Sequence, residues 1–124
     1  SMNKKILLVE DDQFLSTLLQ TRFIKEGFEV LLVINGDEAL KTLRENKVDL
    51  ILMDIILPGK SGFEAMEAIM SSPQYGNAPI MVISNLGQES DIAKGKELGA
   101  VEYFVKAQTS IDDLVVRVKA FLST

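Results

Sequence analysis

Short apolar runs and amphipathic segments alternate along the chain. The apolar runs have the length of β-strands, and several end in a polar residue. Because they are nearly continuous in Leu, Ile, Val and Met, they predict strands that are covered on both faces. The five predicted strands are residues 4–9, 28–33, 49–54, 78–84 and 101–106.

The segments between these runs carry apolar residues at the spacing of an α-helix. The predicted helices are residues 12–27, 36–46, 62–72, 88–99 and 110–122. Met70 in the third helix and Phe121 in the fifth belong to the apolar stripes, so we expect both side chains in the core. Ser110 and Asp113 suit a cap at the start of the fifth helix. The fourth helix is the weakest, since Gly95 interrupts it.

Five strand–helix units in strict alternation predict an α/β domain with a parallel sheet and helices on both faces. Right-handed crossovers leave few arrangements for such a sheet. We predict a flavodoxin-like (βα)5 fold with the strand order 2-1-3-4-5. In a sheet of this kind, ligands bind beyond the carboxyl ends of the strands.

Composition narrows the classes of function. The 124-residue length suits one domain, which we place at residues 2–124 because Ser1 before Met2 resembles an expression scar. The chain has no cysteine and no histidine, which excludes disulfides, His-assisted nucleophiles and the usual zinc sites. The net charge of −5 argues against direct binding of nucleic acid. Neither a membrane-spanning run nor a signal peptide is visible, so we expect a cytoplasmic protein without membrane association.

Polar side chains stand at the ends of four predicted strands. They are Glu10, Asp11 and Asp12 after the first, Asp54 on the third, Ser84 on the fourth and Lys106 on the fifth. Because strands one and three are predicted neighbours, Asp11, Asp12 and Asp54 should converge, and at least one pKa should rise unless a cation intervenes. Such oxygen ligands suit Mg²⁺, which typically binds one or two carboxylates together with phosphate oxygens. Lys106 and Ser84 could then contact a phosphoryl group that Asp54 accepts as the nucleophile.

Each of these residues alone also has a structural explanation. Asp54 could cap a turn, and Asp11 or Asp12 could cap the first helix. Ser84 could simply end a strand, and Lys106 could lie in solvent. The functional interpretation therefore depends on their combination at one edge of the sheet.

Four segments, ILLVEDD, LILMDIILPGKSG, IMVIS and YFVKA, resemble the phosphorylated receiver domain of two-component response regulators. The resemblance covers nearly the whole chain, with the motifs in the family's order and spacing. It implies that Asp54 is the phosphoacceptor. It also implies that Asp11 and Asp12 hold Mg²⁺ together with Asp54.

By the same resemblance, Lys106 is the site lysine, Ser84 the switch hydroxyl and Tyr103 the switch aromatic residue. The implied phosphoryl donor is a sensor histidine kinase or a histidine phosphotransfer protein. The implied readout is an output domain or a downstream protein that binds the face of the fourth helix, fifth strand and fifth helix. The chain would then be a signalling phosphoacceptor rather than a conventional enzyme.

Two positions depart from the family pattern, and two other classes of function remain open. Ala107 follows Lys106 where the family usually has proline, and Asn85 follows Ser84 where the family usually has a small residue. Aspartyl-nucleophile phosphatases resemble this chain but carry a second aspartate two residues after the nucleophile, where Ile56 stands. A flavodoxin-like binding module would need a phosphate-binding loop after the first strand, and that stretch is acidic here.

Overall fold

The apolar runs of the sequence form five parallel strands in the computed structural model, which describes residues 3–123. The strands are β1 (Lys5–Val9), β2 (Glu29–Val33), β3 (Leu50–Met53), β4 (Ile80–Ser84) and β5 (Ala100–Val105). Their order in the sheet is β2-β1-β3-β4-β5, which confirms the predicted order. The predicted domain boundaries at Met2 and Thr124, and Ser1 before them, lie outside the described residues.

A helix follows each strand, as the alternating pattern predicts. The helices are α1 (Gln13–Lys25), α2 (Gly36–Glu45), α3 (Gly62–Ser71), α4 (Glu89–Glu97) and α5 (Ile111–Leu122), with 3₁₀ turns at Pro73–Tyr75 and Lys106–Gln108. The predicted cap of α5 is confirmed, since the Ser110 hydroxyl accepts a hydrogen bond from the Asp113 amide at 3.0 Å. Within residues 3–123, every helix is too short or too polar to cross a membrane.

Side chains of the strands alternate between two hydrophobic cores. Leu7 and Val9 of β1 belong to the core that α2 and α3 cover, whereas Ile6 and Leu8 belong to the core under α1 and α5. Both faces of the sheet are therefore buried, which is the arrangement that continuous apolar strands predict. Only the ends of the strands remain for polar chemistry.

Two residues of the predicted apolar stripes lie outside the core. Met70 in α3 is 59% exposed and Phe121 in α5 is 38% exposed, so the core positions predicted for them are wrong. The buried stripe of α5 passes from Val118 to Leu122, one helical turn later, and leaves Phe121 beside it. In α3 the buried residue of the last turn is Ile69, and Met70 lies next to it on the outer side.

Candidate functional site

The first two carboxylates of the site are fixed by strand pairing. Val9 of β1 pairs with Met53 of β3, and the next residues along these strands are Glu10 and Asp54. The Asp54 amide donates to the Val9 carbonyl at 3.0 Å, which continues the ladder by one bond. Glu10 and Asp54 therefore leave two adjacent strands at the same height, at the carboxyl edge of the sheet.

Asp54 is held in one orientation by donors at both of its oxygens. Its side chain is almost completely buried. One oxygen, Oδ1, accepts a hydrogen bond from the Ile55 amide at 2.7 Å, and Oδ2 accepts one from Lys106 Nζ at 2.9 Å. A buried carboxylate needs such partners, because an unpaired charge is costly away from water. The Ile55 amide and Lys106 thus orient Asp54 at the end of the strand.

Lys106 connects the third and first strands through its ammonium group. Its Nζ lies 2.9 Å from Asp54 Oδ2 and 2.8 Å from Glu10 Oε1. Burial by itself would lower the pKa of Lys106, but its contacts with the Glu10 and Asp54 carboxylates outweigh burial and raise that pKa. Lys106 therefore stays a cation over the whole physiological pH range. Its peptide bond to Ala107 is trans, and the chain enters a 3₁₀ turn there.

Glu10 is a fully buried carboxylate of the site whose pKa is raised. Its side chain is fully buried, and burial, together with the negative charge of Asp54, raises its pKa from 4.5 to about 7. The Lys106 ammonium and the Asp12 amide, which donates to Glu10 Oε2 at 3.0 Å, offset part of that rise. The raised carboxyl pKa at this edge therefore belongs to Glu10, which is not one of the three aspartates for which the sequence predicted a rise.

Three carboxylates are close enough to share a cation. Glu10, Asp11 and Asp54 each offer an oxygen, and these oxygens lie within 4.8 Å of one another. Carboxylate oxygens are hard ligands, and Asp11 is exposed, so water can reach the cluster from outside. The donor set fits Mg²⁺, which retains several water ligands and uses few protein carboxylates.

Asp12 has the structural role that the sequence left open for it, as a helix cap. Its Oδ1 accepts a hydrogen bond from the Leu15 amide at 3.0 Å, so Asp12 is the N-terminal cap of α1. The structure brings Glu10 instead into the carboxylate cluster beside Asp11 and Asp54. The physical reason is the start of α1 at Gln13, which turns the preceding side chain toward free amides of the first helical turn.

Ser84 and Tyr103 meet at the backbone of Leu86. Ser84 is fully buried, and its Oγ accepts a hydrogen bond from the Leu86 amide at 3.2 Å. The Tyr103 hydroxyl donates to the Leu86 carbonyl at 2.6 Å. Burial raises the pKa of Tyr103, as do the charges of Asp91 and Asp54, and a hydrogen bond with Ser84 partly opposes them. The two predicted switch residues therefore both hydrogen-bond to the backbone of Leu86.

The loop after β3 folds back onto Asp54 through Gly62. The Gly62 amide donates to the Ile55 carbonyl at 2.8 Å. A Cβ at position 62 would lie 2.1 Å from the Asp54 carbonyl oxygen and 2.7 Å from the Ile55 Cα atom. Only glycine fits so close to the backbone of the strand end, and this close approach keeps the loop over the site.

The chain matches a known family over most of its length. Residues 6–119 match the sequence model of the response regulator receiver domain. The chain is 40% identical over 121 residues to the phosphate regulon transcriptional regulatory protein PhoB of Rhizobium meliloti strain 1021, covering 98% of this chain and 53% of that protein. It is 36% identical over 118 residues to the transcriptional regulatory protein CpxR of Escherichia coli K12, covering 95% of this chain and 49% of CpxR.

Solved structures agree with the sequence match. The BeF3-activated N-terminal receiver domain of Klebsiella pneumoniae RstA superimposes with a TM-score of 0.87 at 30% identity, covering 98% of this chain and 100% of that one. The chain spans about half the length of the curated relatives it matches. The resemblance inferred from the four sequence motifs is confirmed: the chain belongs to the family of response regulator receiver domains.

Proposed function

We propose that this receiver domain accepts a phosphoryl group on Asp54 in a Mg²⁺-dependent reaction. One Asp54 oxygen attacks the phosphorus atom of a phosphohistidine on a donor protein, and the bond from phosphorus to the imidazole nitrogen breaks. The donor histidine lies outside this receiver domain, which has no histidine of its own, and we propose a sensor histidine kinase or a histidine phosphotransfer protein as its source. The orientation of the Asp54 carboxylate by Ile55 and Lys106, beside two further carboxylates, carries the proposal.

The metal belongs to Glu10, Asp11 and Asp54 in this proposal, and Asp12 is left to cap α1. When bound, Mg²⁺ neutralises part of the negative charge that gathers as a phosphoryl group meets the acidic cluster. The Asp12 amide and the Lys106 ammonium hold the Glu10 carboxylate in place, and Asp11 offers an exposed carboxylate. The cost of keeping Glu10 ionised and buried, visible in its raised pKa, favours a cation at this position.

Lys106 and Ser84 are the residues that contact the transferred phosphoryl group. Lys106 already pairs with Asp54 Oδ2, so its ammonium lies beside the oxygen atoms of any group carried by Asp54. The Ser84 hydroxyl supplies a second contact. Because Ser84 and Tyr103 both contact Leu86, a change at Ser84 reaches Tyr103 and the face of α4, β5 and α5. We propose this face as the surface that an output domain or downstream protein recognises.

The relatives support this role in signalling. PhoB and CpxR are named transcriptional regulatory proteins, and the RstA receiver domain is described as BeF3-activated. By analogy, this domain regulates a partner through the state of its acidic site, in the cytoplasm where such donors work. The two other classes of function lack their required residues. Ile56 stands where a phosphatase needs its second acid, and acidic residues follow β1 where a flavin phosphate would need donors.

Phosphorylation is tested with a small phosphodonor such as acetyl phosphate in the presence of Mg²⁺. Intact mass should show one added phosphoryl group that is stable in acid and labile in alkali, as expected of an acyl phosphate. Asp54→Asn should abolish it, while Asp12→Asn should retain it. Equal labelling of parent and Asp54→Asn would overturn the assignment of the acceptor. No labelling of the parent by any donor would overturn the proposed function itself.

A further inference from the structure

A glycine of α4 lies directly against the ring of Tyr103. Gly95 is buried, and a Cβ built on it would lie 2.7 Å from Tyr103 Cδ2 and 2.9 Å from Cε2. Such distances are far below ordinary contact between carbon atoms, which is about 3.5–4.0 Å. The Tyr103 ring therefore occupies the space that any other residue at position 95 would fill.

Gly95 is unfavourable for the helix in which it stands. Glycine in a helix interior destabilises the helix relative to alanine. A helical glycine of this kind needs a reason in packing, and the ring of Tyr103 supplies one. The same added Cβ would lie 3.9 Å from Phe63 Cε1, an ordinary contact distance, so Phe63 does not require glycine here.

The position of the ring has a consequence at the site. With its ring against Gly95, Tyr103 donates to the Leu86 carbonyl at 2.6 Å, and the Leu86 amide donates to Ser84 Oγ at 3.2 Å. The backbone of Leu86 is thus held at its carbonyl by Tyr103 and at its amide by Ser84. Movement of the ring away from α4 breaks the first bond and frees the segment that carries the second.

We propose that Gly95 is a positioning residue for Tyr103. Because Gly95 has no Cβ, it leaves a space against α4 that the ring fills, and we call this space the seat. In this position Tyr103 holds the backbone of Leu86 beside Ser84. The importance of this seat for signalling rests on the proposed function, whereas the seat itself concerns the protein without metal or phosphoryl group. A side chain at position 95 displaces the ring first, because the ring can rotate about its χ1 angle while helix and strand backbones are held by hydrogen bonds.

Fluorine NMR of protein labelled with 3-fluorotyrosine observes the ring directly. The chain has two tyrosines, so Tyr75→Phe assigns the Tyr103 resonance. In Gly95→Ala, the Tyr103 resonance should move toward the value of a solvent-exposed ring, and its solvent isotope shift should increase. The control is Ala93→Gly, at an exposed position of the same helix. It loosens α4 without adding an atom near the ring, so the resonance should stay at the parental position.

Thermal unfolding of a double-mutant cycle supplies a second test. Gly95→Ala should raise the melting temperature in a Tyr103→Ala background, where only the better helix propensity of alanine acts. With Tyr103 present, the same change should give a smaller rise or a fall. The proposal is overturned if Gly95→Ala raises the melting temperature equally in both backgrounds, if its Tyr103 resonance is unchanged, or if Ala93→Gly moves that resonance as much. All measurements use unphosphorylated protein in chelator, so they hold even if Asp54 accepts no phosphoryl group.

Discussion

Replacing Glu10 by Gln tests the proposed metal site and its electrostatics in one variant. In the parent, folding buries Glu10 next to Asp54 and raises its pKa from 4.5 to about 7. The folded state then binds more protons than the unfolded state between these two pH values. The free energy of unfolding of the metal-free protein should therefore fall as pH rises through this window, because the proton favours the folded form.

The magnitude follows from the size of the pKa change. A rise of this size corresponds to roughly 3 kcal/mol of stability lost once Glu10 is fully ionised. Gln at position 10 removes that loss, and the pKa of about 7 already includes the favourable contact of ionised Glu10 with Lys106, which keeps Asp54 as a partner in the variant. We therefore expect Glu10→Gln to be more stable than the parent by about 2–3 kcal/mol at pH 8 and nearly equal to it at pH 4.5.

Magnesium should offset this difference. A ligand that binds only the folded protein stabilises it by about 2.7 kcal/mol at a concentration of one hundred times Kd. The parent should gain stability on addition of Mg²⁺, whereas Glu10→Gln has lost an anionic ligand and should gain much less. Urea unfolding followed by circular dichroism measures the free energy of unfolding of both proteins under three conditions: pH 4.5 in chelator, pH 8 in chelator and pH 8 in Mg²⁺.

Asp12→Asn is the matched control, since it also removes one carboxylate from the acidic stretch. Asn caps helices as well as Asp does, so the bond to the Leu15 amide can persist and stability should change little. Its response to Mg²⁺ should stay close to that of the parent. The reasoning fails if Asp12→Asn loses the Mg²⁺ response while Glu10→Gln keeps it, or if Glu10→Gln differs from the parent equally at both pH values.

Three further changes test the surroundings of Asp54. Gly62→Ala should lower the free energy of unfolding by more than about 2 kcal/mol in urea, because its Cβ meets strand backbone; a smaller loss would mean that the loop yields. Ser61→Ala should cost about 1 kcal/mol by removing the capping box of α3, and an unchanged urea midpoint would contradict this. Ile56→Asn should speed loss of the phosphoryl group from Asp54 in Mg²⁺, since a polar side chain two residues after the acceptor can orient water. A tenfold change in this rate needs a change of only about 1.4 kcal/mol in the activation barrier. Decay at the parental rate or slower would refute the prediction.

The fold was predictable because each strand is a continuous apolar run and each helix carries apolar residues at helical spacing. Two-sided burial of the sheet leaves little choice for residues such as Leu7 and Leu8, which face opposite cores. The edges of helical stripes are less determined. Met70 and Phe121 each stand beside a buried residue, Ile69 and Leu122, and sequence spacing alone does not say which neighbour faces the sheet.

The sequence predicts which strand ends form the site, but it does not predict which individual carboxylates cluster there. Glu10, Asp11 and Asp12 are consecutive, and only the start of α1 decides which of them points into the cluster. A usable signal was present: a helix that begins at Gln13 requires a cap at the residue before it, and Asp is a preferred cap. For Gly95 the sequence predicts only a weak point in the fourth helix, because nothing in the sequence reveals that a ring from β5 lies against it.

The charges of the site support the proposal that a divalent cation and a phosphoryl group bind at the same edge of the sheet. Three carboxylates, those of Glu10, Asp11 and Asp54, face one ammonium group, that of Lys106, so full ionisation leaves an excess of two negative charges. In the metal-free protein, protonation of Glu10 near pH 7 relieves part of that excess. Mg²⁺ would match it and displace the proton. An anionic phosphodonor approaching Asp54 without the cation meets repulsion from the cluster, so binding of the metal should precede transfer of the phosphoryl group.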